Sequence, residues 1–131
     1  MSVFAEEENN RYIGVSTKTI YNLTDEEREV LEKKSFDGDA AASFRLYEYY
    51  SLSNPNLEKE FQYLEVAATQ GHPIAQYNLG CLMTRIRGPY TPWYDLDKAI
   101  YWMEKSAKNG DKEAKRNLPK LKKVKKGEAG C

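Results

Sequence analysis

At 131 residues the chain can bury one core without staples, and its twenty basic and twenty acidic residues cancel, which excludes a global field steering it to nucleic acid or an anionic membrane. Two cysteines, Cys81 and Cys131, exclude a disulfide framework and fit free thiols in a reducing compartment. The N-terminal MSVFAEEENNRY has no basic or apolar region of a signal peptide, and no stretch approaches the roughly 20 apolar residues that span a bilayer, so a cytoplasmic protein away from membranes is expected.

Residues 1–23 are expected to form an N-terminal arm, partly disordered: residues 1–10 are polar and acidic, and Tyr12 to Tyr21 is rich in β-branched residues that favour extended backbone. A helical domain is expected over 24–124. Thr24 and Glu27 form a capping box, with Leu23 placed to staple against the first turns, Val30 and Leu31 on the buried face and Asp37-Gly38 at the end. The next helix is expected from Asp39 to Leu52, before the Ser53-Asn54-Pro55-Asn56 turn. From Leu57 to Gln70 the apolar residues Leu57, Phe61, Leu64 and Ala68 fall on one helical face. Gly71 closes that helix and Pro73 opens its successor, which runs to about Arg87. An aromatic, proline-containing loop, Gly88–Tyr94, precedes a fifth helix capped by Asp95 and carrying Leu96, Ala99, Ile100, Met103 and Ala107. After Asn109-Gly110-Asp111 a last helix carries Ala114, Leu118, Leu121 and Val124, with Pro119 kinking or interrupting it, and 125–131 is expected as a flexible tail.

These segments repeat. With Gly38, Gly71 and Gly110 in register, Ala42, Ala75 and Ala114 recur four residues later and Leu46, Leu79 and Leu118 eight residues later. Leu31, Leu64 and Met103 lie seven residues before each glycine, and Ser35, Ala68 and Ala107 three before. Short turns force neighbouring helices to be antiparallel. The fold class expected is therefore all-α, a short α-solenoid of about six antiparallel helices: two full repeats with a half-repeat at each flank. The small residues at matched positions are placed where helix backbones approach closely.

The segments Ala75-Gln76-Tyr77-Asn78-Leu79-Gly80 and Asp95–Ala107, followed by Gly110-Asp111, resemble the Sel-one-like repeat family, a relative of the tetratricopeptide repeats with units of about 36 residues. The Gly38–Gln70 unit is a weaker match, with Tyr47 where the family favours glycine, and the resemblance spans about residues 24–122. It implies a protein-binding α-solenoid, found as adaptor and regulator and, among bacteria, in small inhibitor or immunity proteins; it does not imply catalysis.

No cofactor or metal site and no catalytic residue is expected. His72, the one histidine, sits at a helix start without a cysteine or histidine partner at ligand spacing, and a structural role is expected for it. There is no phosphate-cradling glycine loop, nucleophile elbow or cysteine–histidine cluster. The basic run from Lys112 to Lys126 reads as the solvated face of a terminal helix, since a terminal repeat needs a polar outer side and no aromatics interleave to stack bases.

In stacked helix pairs the first helix of each pair lines the concave face, at the third, sixth, tenth, thirteenth and fourteenth residues after each glycine. Those positions include Phe44, Glu48, Tyr77, Arg85, Arg116 and Lys120. Arg87 and the loop aromatics Tyr90, Trp93 and Tyr94 complete the candidate partner-binding set, because one short loop does not bury three large aromatics and two prolines lower the cost of ordering them; the alternative for Trp93 is to fold back over the Leu57–Gln70 helix. The function expected is binding of one protein partner by a chain that is a monomer when free. A cytoplasmic bacterial inhibitor or immunity protein neutralising a toxin is favoured, because an array of two full repeats is too short to bridge many clients. The alternatives are an adaptor or scaffold in a larger complex and, from another class, a nucleic-acid accessory protein using the basic last helix.

Overall fold

The computed structural model describes residues 17–84 and 94–130. Its helices are α1 (Thr17–Ile20), α2 (Asp25–Phe36), α3 (Ala40–Glu48), a π-helical segment (Tyr49–Ser53), α4 (Leu57–Thr69), α5 (Pro73–Leu82), α6 (Leu96–Lys108) and α7 (Lys112–Gly130), with no strand among the described residues. From α2 onward each helix packs on the next in sequence, giving the antiparallel stack of an all-α helical-repeat solenoid.

One turn is used three times. Gly38, Gly71 and Gly110 have φ of 102°, 100° and 96°, a left-handed backbone that costs a side chain but not glycine. Around each, the glycine N–H and the next residue's N–H return to carbonyls of the helix just ended: Gly71 to Ala68 at 3.1 Å and His72 to Ala67 at 3.0 Å, for example. The residue after each glycine then caps the following helix. Asp39 accepts from Ala42 N–H at 3.1 Å, His72 Nδ1 from Ala75 N–H at 3.2 Å, and Asp111 from Ala114 N–H at 2.9 Å. One helix stops and the next starts within a few residues, and the chain has no choice but to reverse.

Between the helices lies a core in two parts. Leu64, Ala67, Ala68, Ala75, Leu79, Leu82, Met83 and Ala99 are buried together between α4, α5 and α6, with Phe44, Tyr47, Phe61 and Trp102 packed on them. Leu23, Leu46, Tyr49 and Tyr50 form the second part at the N-terminal end, with Leu31 and Tyr63 against it. At Gly80 a Cβ would lie 2.9 Å from Met103 Cε and 3.2 Å from Ala99 O, so α5 and α6 approach here as no side chain would allow. The equivalent position in the preceding pair is Tyr47, and there the helices leave room for a half-buried ring.

Several local expectations are corrected. Thr17–Ile20 is a helical turn, not extended backbone. It is tied down by tertiary bonds, Ser53 Oγ donating to Lys18 O at 2.8 Å and Arg45 Nη1 donating to Tyr21 O at 3.0 Å, which override the β-branched preference. The helix expected to reach Leu52 leaves α geometry after Glu48. Asn54 N–H bonds Tyr49 O at 2.8 Å, and the wider turn places Tyr49, Tyr50 and Ser53 all inside. Val30 is 53% exposed and not part of a buried face, while Leu23 is buried against Leu46 and the two tyrosines. Ala107 is half-buried, unlike Ala42, Ala68 and Ala75. Pro119 does not interrupt α7, which runs from Lys112 to Gly130.

Candidate protein-binding face

Helices α3, α5 and α7 are the first members of successive pairs. The polar and aromatic groups between them are held by contacts that recur from pair to pair. Phe44 of α3 is half-buried, stacked on His72 with ring centroids 4.2 Å apart and planes 13° from parallel, and tilted against Tyr47 at 5.1 Å. His72 is therefore held twice, by that ring and by the Ala75 N–H its Nδ1 accepts, and burial lowers its pKa below the ordinary histidine value. Tyr47 Oη accepts from Asn78 Nδ2 at 3.4 Å, and burial, helped by the Glu60 carboxylate, pushes the phenol pKa up. In the next pair Tyr77, half-buried, accepts from Asn117 Nδ2 at 3.2 Å, and Asn117 is itself anchored to Glu113 O at 2.8 Å.

Between α5 and α7 the face opens into a cleft of about 360 Å³ lined by Cys81, Thr84, Asn117, Lys120, Leu121 and Val124, with Met103 of α6 also lining it. Thr84 turns its hydroxyl back to Gly80 O and Cys81 O at 3.1 and 2.9 Å. Cys81 is a free, half-buried thiol. The cleft is mostly apolar with one exposed lysine, Lys120, at its edge. Such a place suits an apolar side chain flanked by a carboxylate.

Of the candidate residues, Phe44, Tyr77, Arg116 and Lys120 lie on α3, α5 and α7; Asn117 bonds Tyr77 and lines the same cleft as Lys120. Glu48, at the end of α3, is half-buried; burial raises its carboxyl pKa, opposed by Arg45. Arg116 is exposed and paired with Glu113 on its own helix. Tyr94 is half-buried beside Asp95, whose side chain caps α6 by accepting from Lys98 N–H at 3.0 Å and whose own N–H bonds Met83 O at 3.0 Å. Arg85, Arg87, Tyr90 and Trp93 lie outside the described residues. Sequence reasoning missed Asn117 and the exposed Val124, because it placed the face on too narrow a set of offsets and took Val124 for core; Val124 is 53% exposed. The cations of α7 are partly engaged within the chain, Lys122 with Glu104 at 3.3 Å and Lys125 with Asp97, which weakens a phosphate-tracking strip.

Among the described residues no group of three or more histidine, cysteine, aspartate or glutamate side chains could hold a metal ion, and no helix is long and apolar enough to cross a membrane.

Antiparallel helix pairs joined by one repeated turn, with half-buried aromatics fixed on the first helices, define a helical-repeat protein of the kind that binds other proteins. The Sel1 repeat model matches residues 47–72 and 73–111, and the chain belongs to the Sel1 repeat family. It is also similar to Uncharacterized protein YibG of Escherichia coli (strain K12), 42% identical over 110 residues that cover 84% of this chain and 72% of the relative. No solved structure matches it. Sel1 repeats are protein-interaction repeats and not typically enzymes, so the coarse function is protein–protein interaction.

Proposed function

We propose that the chain binds one protein partner on the concave face of α3, α5 and α7, with the cleft between α5 and α7 as the seat of the principal anchor. The observation that carries this reading is the cleft itself: apolar walls from Leu121 and Val124, a lysine at its edge, and Tyr77 and Asn117 locked to each other alongside. Groups already fixed before binding lose little freedom when a partner arrives, which favours affinity from a small area. The candidate loop residues Arg85, Arg87, Tyr90, Trp93 and Tyr94 extend this surface in the proposal, with Trp93 as a second anchor.

Within that class we favour a cytoplasmic bacterial inhibitor or immunity protein that neutralises a toxin by covering its surface. What supports it is scale: a face built by three helices has room for one partner, whereas an adaptor must hold two at once. Affinity capture from the native host with mass spectrometry tests both levels. A single stoichiometric toxin, encoded beside this protein, supports the inhibitor; several clients of one complex would replace it with an adaptor. No protein retained by the wild type but lost by Tyr77→Ala and Lys120→Glu would overturn the binding face.

A further inference from the structure

Charge is sorted around α7. The helix carries eight basic residues against two acidic, and two of the eight reach carboxylates of α6: Lys122 pairs with Glu104 at 3.3 Å, and Lys125 pairs with Asp97. Lys120 and Lys123 each stand two residues before one of these, roughly 200° around the helix, so the carboxylates of α6 lie on the wrong side for them. Both are exposed, and neither has an ion pair among the described residues. Lys120 is at the edge of the cleft between α5 and α7, and Lys123 is its neighbour one turn along the same helix.

Nothing else lining the cleft is charged. Helix α5 has no charged residue from Pro73 to Leu82, and α7 adds Asn117, Leu121 and Val124 to the walls. The nearby acid of α7, Glu113, is taken by Arg116. Carboxylates gather instead on the second helices: α2 has five acidic residues against three basic, and α4 three against one. The zero net charge of the chain thus conceals an apolar, neutral cleft with cations along one edge.

We propose that the segment of the partner seated in this cleft is acidic and amphipathic. An apolar side chain enters between α5 and α7, and carboxylates along one edge of the segment meet Lys120 and Lys123. This rests on the cleft being the seat of the principal anchor and adds the chemistry of what it holds. A basic segment would crowd like charges at Lys120, and a neutral one would cover its ammonium group without a partner. A nucleic-acid backbone brings no apolar side chain for the cleft, and part of the cationic row it would track is engaged with α6.

Selection of a phage-displayed random peptide library on the full chain tests this before the partner is known. Retained peptides should be rich in aspartate and glutamate around an apolar residue. A fluorescein-labelled synthetic copy of the most enriched peptide then reports affinity by anisotropy. Lys120→Ala and Lys123→Ala should each weaken it roughly two- to fivefold, and Val124→Asp roughly tenfold or more. Lys108→Ala, the same charge lost from an exposed site on α6, should leave affinity unchanged. All four side chains are exposed, so melting temperatures should match the wild type. Reversing both lysines, Lys120→Glu with Lys123→Glu, should turn the selection toward basic peptides.

No enrichment, enrichment of neutral or basic peptides by the wild type, or a reversed variant that still selects acidic ones would each overturn the proposal. A labelled single-stranded oligonucleotide that binds more tightly than the peptide, with a steep loss in salt, would replace the acidic segment with a nucleic acid. The two levels fail separately. Neutral or basic peptides whose binding is lost in Tyr77→Ala and Val124→Asp would leave the binding face standing and remove only its acidic occupant. Acidic peptides untouched by either change would bind elsewhere and remove both.

Discussion

Asn109 donates through Nδ2 to Gln76 Oε1 at 2.9 Å, and Gln76 passes its own Nε2 hydrogen on to Ala68 O at 3.1 Å. Three helices meet in this chain of bonds: α6 through its C-cap, α5 through Gln76 and α4 through a terminal carbonyl. The preceding pair solves the same problem with the lengths exchanged. There the short Ser43 sits on the first helix, and the long Gln70 spans the gap, donating to Ser35 O at 2.9 Å and accepting from Ser43 at 2.7 Å. Since Ser43 spends its single proton on Gln70, the 2.6 Å contact with Ser35 Oγ has Ser35 as donor. One long and one short side chain are needed in each case, and either helix supplies the long one.

Gln76 is 2% exposed and bonded on both ends of its amide. Gln76→Ala leaves Asn109 Nδ2 without its partner and Ala68 O with only its backbone bond from Gly71, and should cost roughly 1–3 kcal/mol of unfolding free energy, with Asn109→Ala, at a more exposed site, costing less. Urea unfolding of both single variants and the double variant checks this. The double should cost less than the sum of the singles, since either change alone already breaks the shared bond.

Gly80→Ala sets helix propensity against packing. Alanine gains about 1 kcal/mol over glycine in a helix interior. Its Cβ would nevertheless press on Met103 Cε at 2.9 Å and on the Ala99 carbonyl at 3.2 Å; the methionine end can shift, but the carbonyl is backbone and gives only if α6 moves. Overpacking of this kind typically costs about 1–3 kcal/mol, so net destabilisation is expected as a lower melting temperature. Gly127→Ala, with nothing within 4 Å of its Cβ, should be neutral or slightly stabilising.

The turn at Gly71 has a φ of 100°, so Gly71→Ala should destabilise by about 1–2 kcal/mol although its Cβ meets nothing within 4 Å. The loss comes from backbone strain alone. Replacement by D-alanine in a semisynthetic chain should restore stability, which separates this cause from any lost contact.

His72 confers a pH dependence of known sign. Burial lowers its pKa in the folded chain, and its unprotonated Nδ1 is the acceptor that caps α5. Between the lowered folded value and the ordinary value of about 6.5, the unfolded chain binds more protons, so stability rises with pH across that window and falls as pH drops through it. Urea midpoints measured from about pH 7.5 down to about pH 5 should show this loss. His72→Asp keeps a cap like those of Asp39 and Asp111 and should remove this component, whereas His72→Ala should cost about 1 kcal/mol of capping at neutral pH.

Partner binding should divide by residue. Tyr77→Ala and Lys120→Glu are expected to weaken it at least tenfold, roughly 1.4 kcal/mol. Trp93→Ala, if Trp93 is the second anchor, should lose about 2 kcal/mol of binding with an unchanged melting temperature. Phe44→Ala should chiefly destabilise the fold, because Phe44 packs on the core and on His72. Calorimetric titration against the captured partner, beside thermal melts, tells these outcomes apart.

What the sequence by itself determined is the rhythm of the fold: the helix pairs, the glycine turns at Gly38, Gly71 and Gly110, the Thr24–Glu27 box and the Asp95 cap. Each of these depends on residues a few positions apart, and its chemistry is complete within one or two turns of chain. The tertiary structure decided the rest. Tyr49 to Ser53 take a wider turn where an ordinary helix was expected, Thr17 to Ile20 coil under bonds from Ser53 and Arg45, and Asn117 locks Tyr77 from forty residues away. It also brought Ser43 to Gln70 and Gln76 to Asn109, residues far apart in the chain. Those outcomes turn on the distance between packed helices, a quantity set by the sum of many side-chain volumes and encoded at no single position.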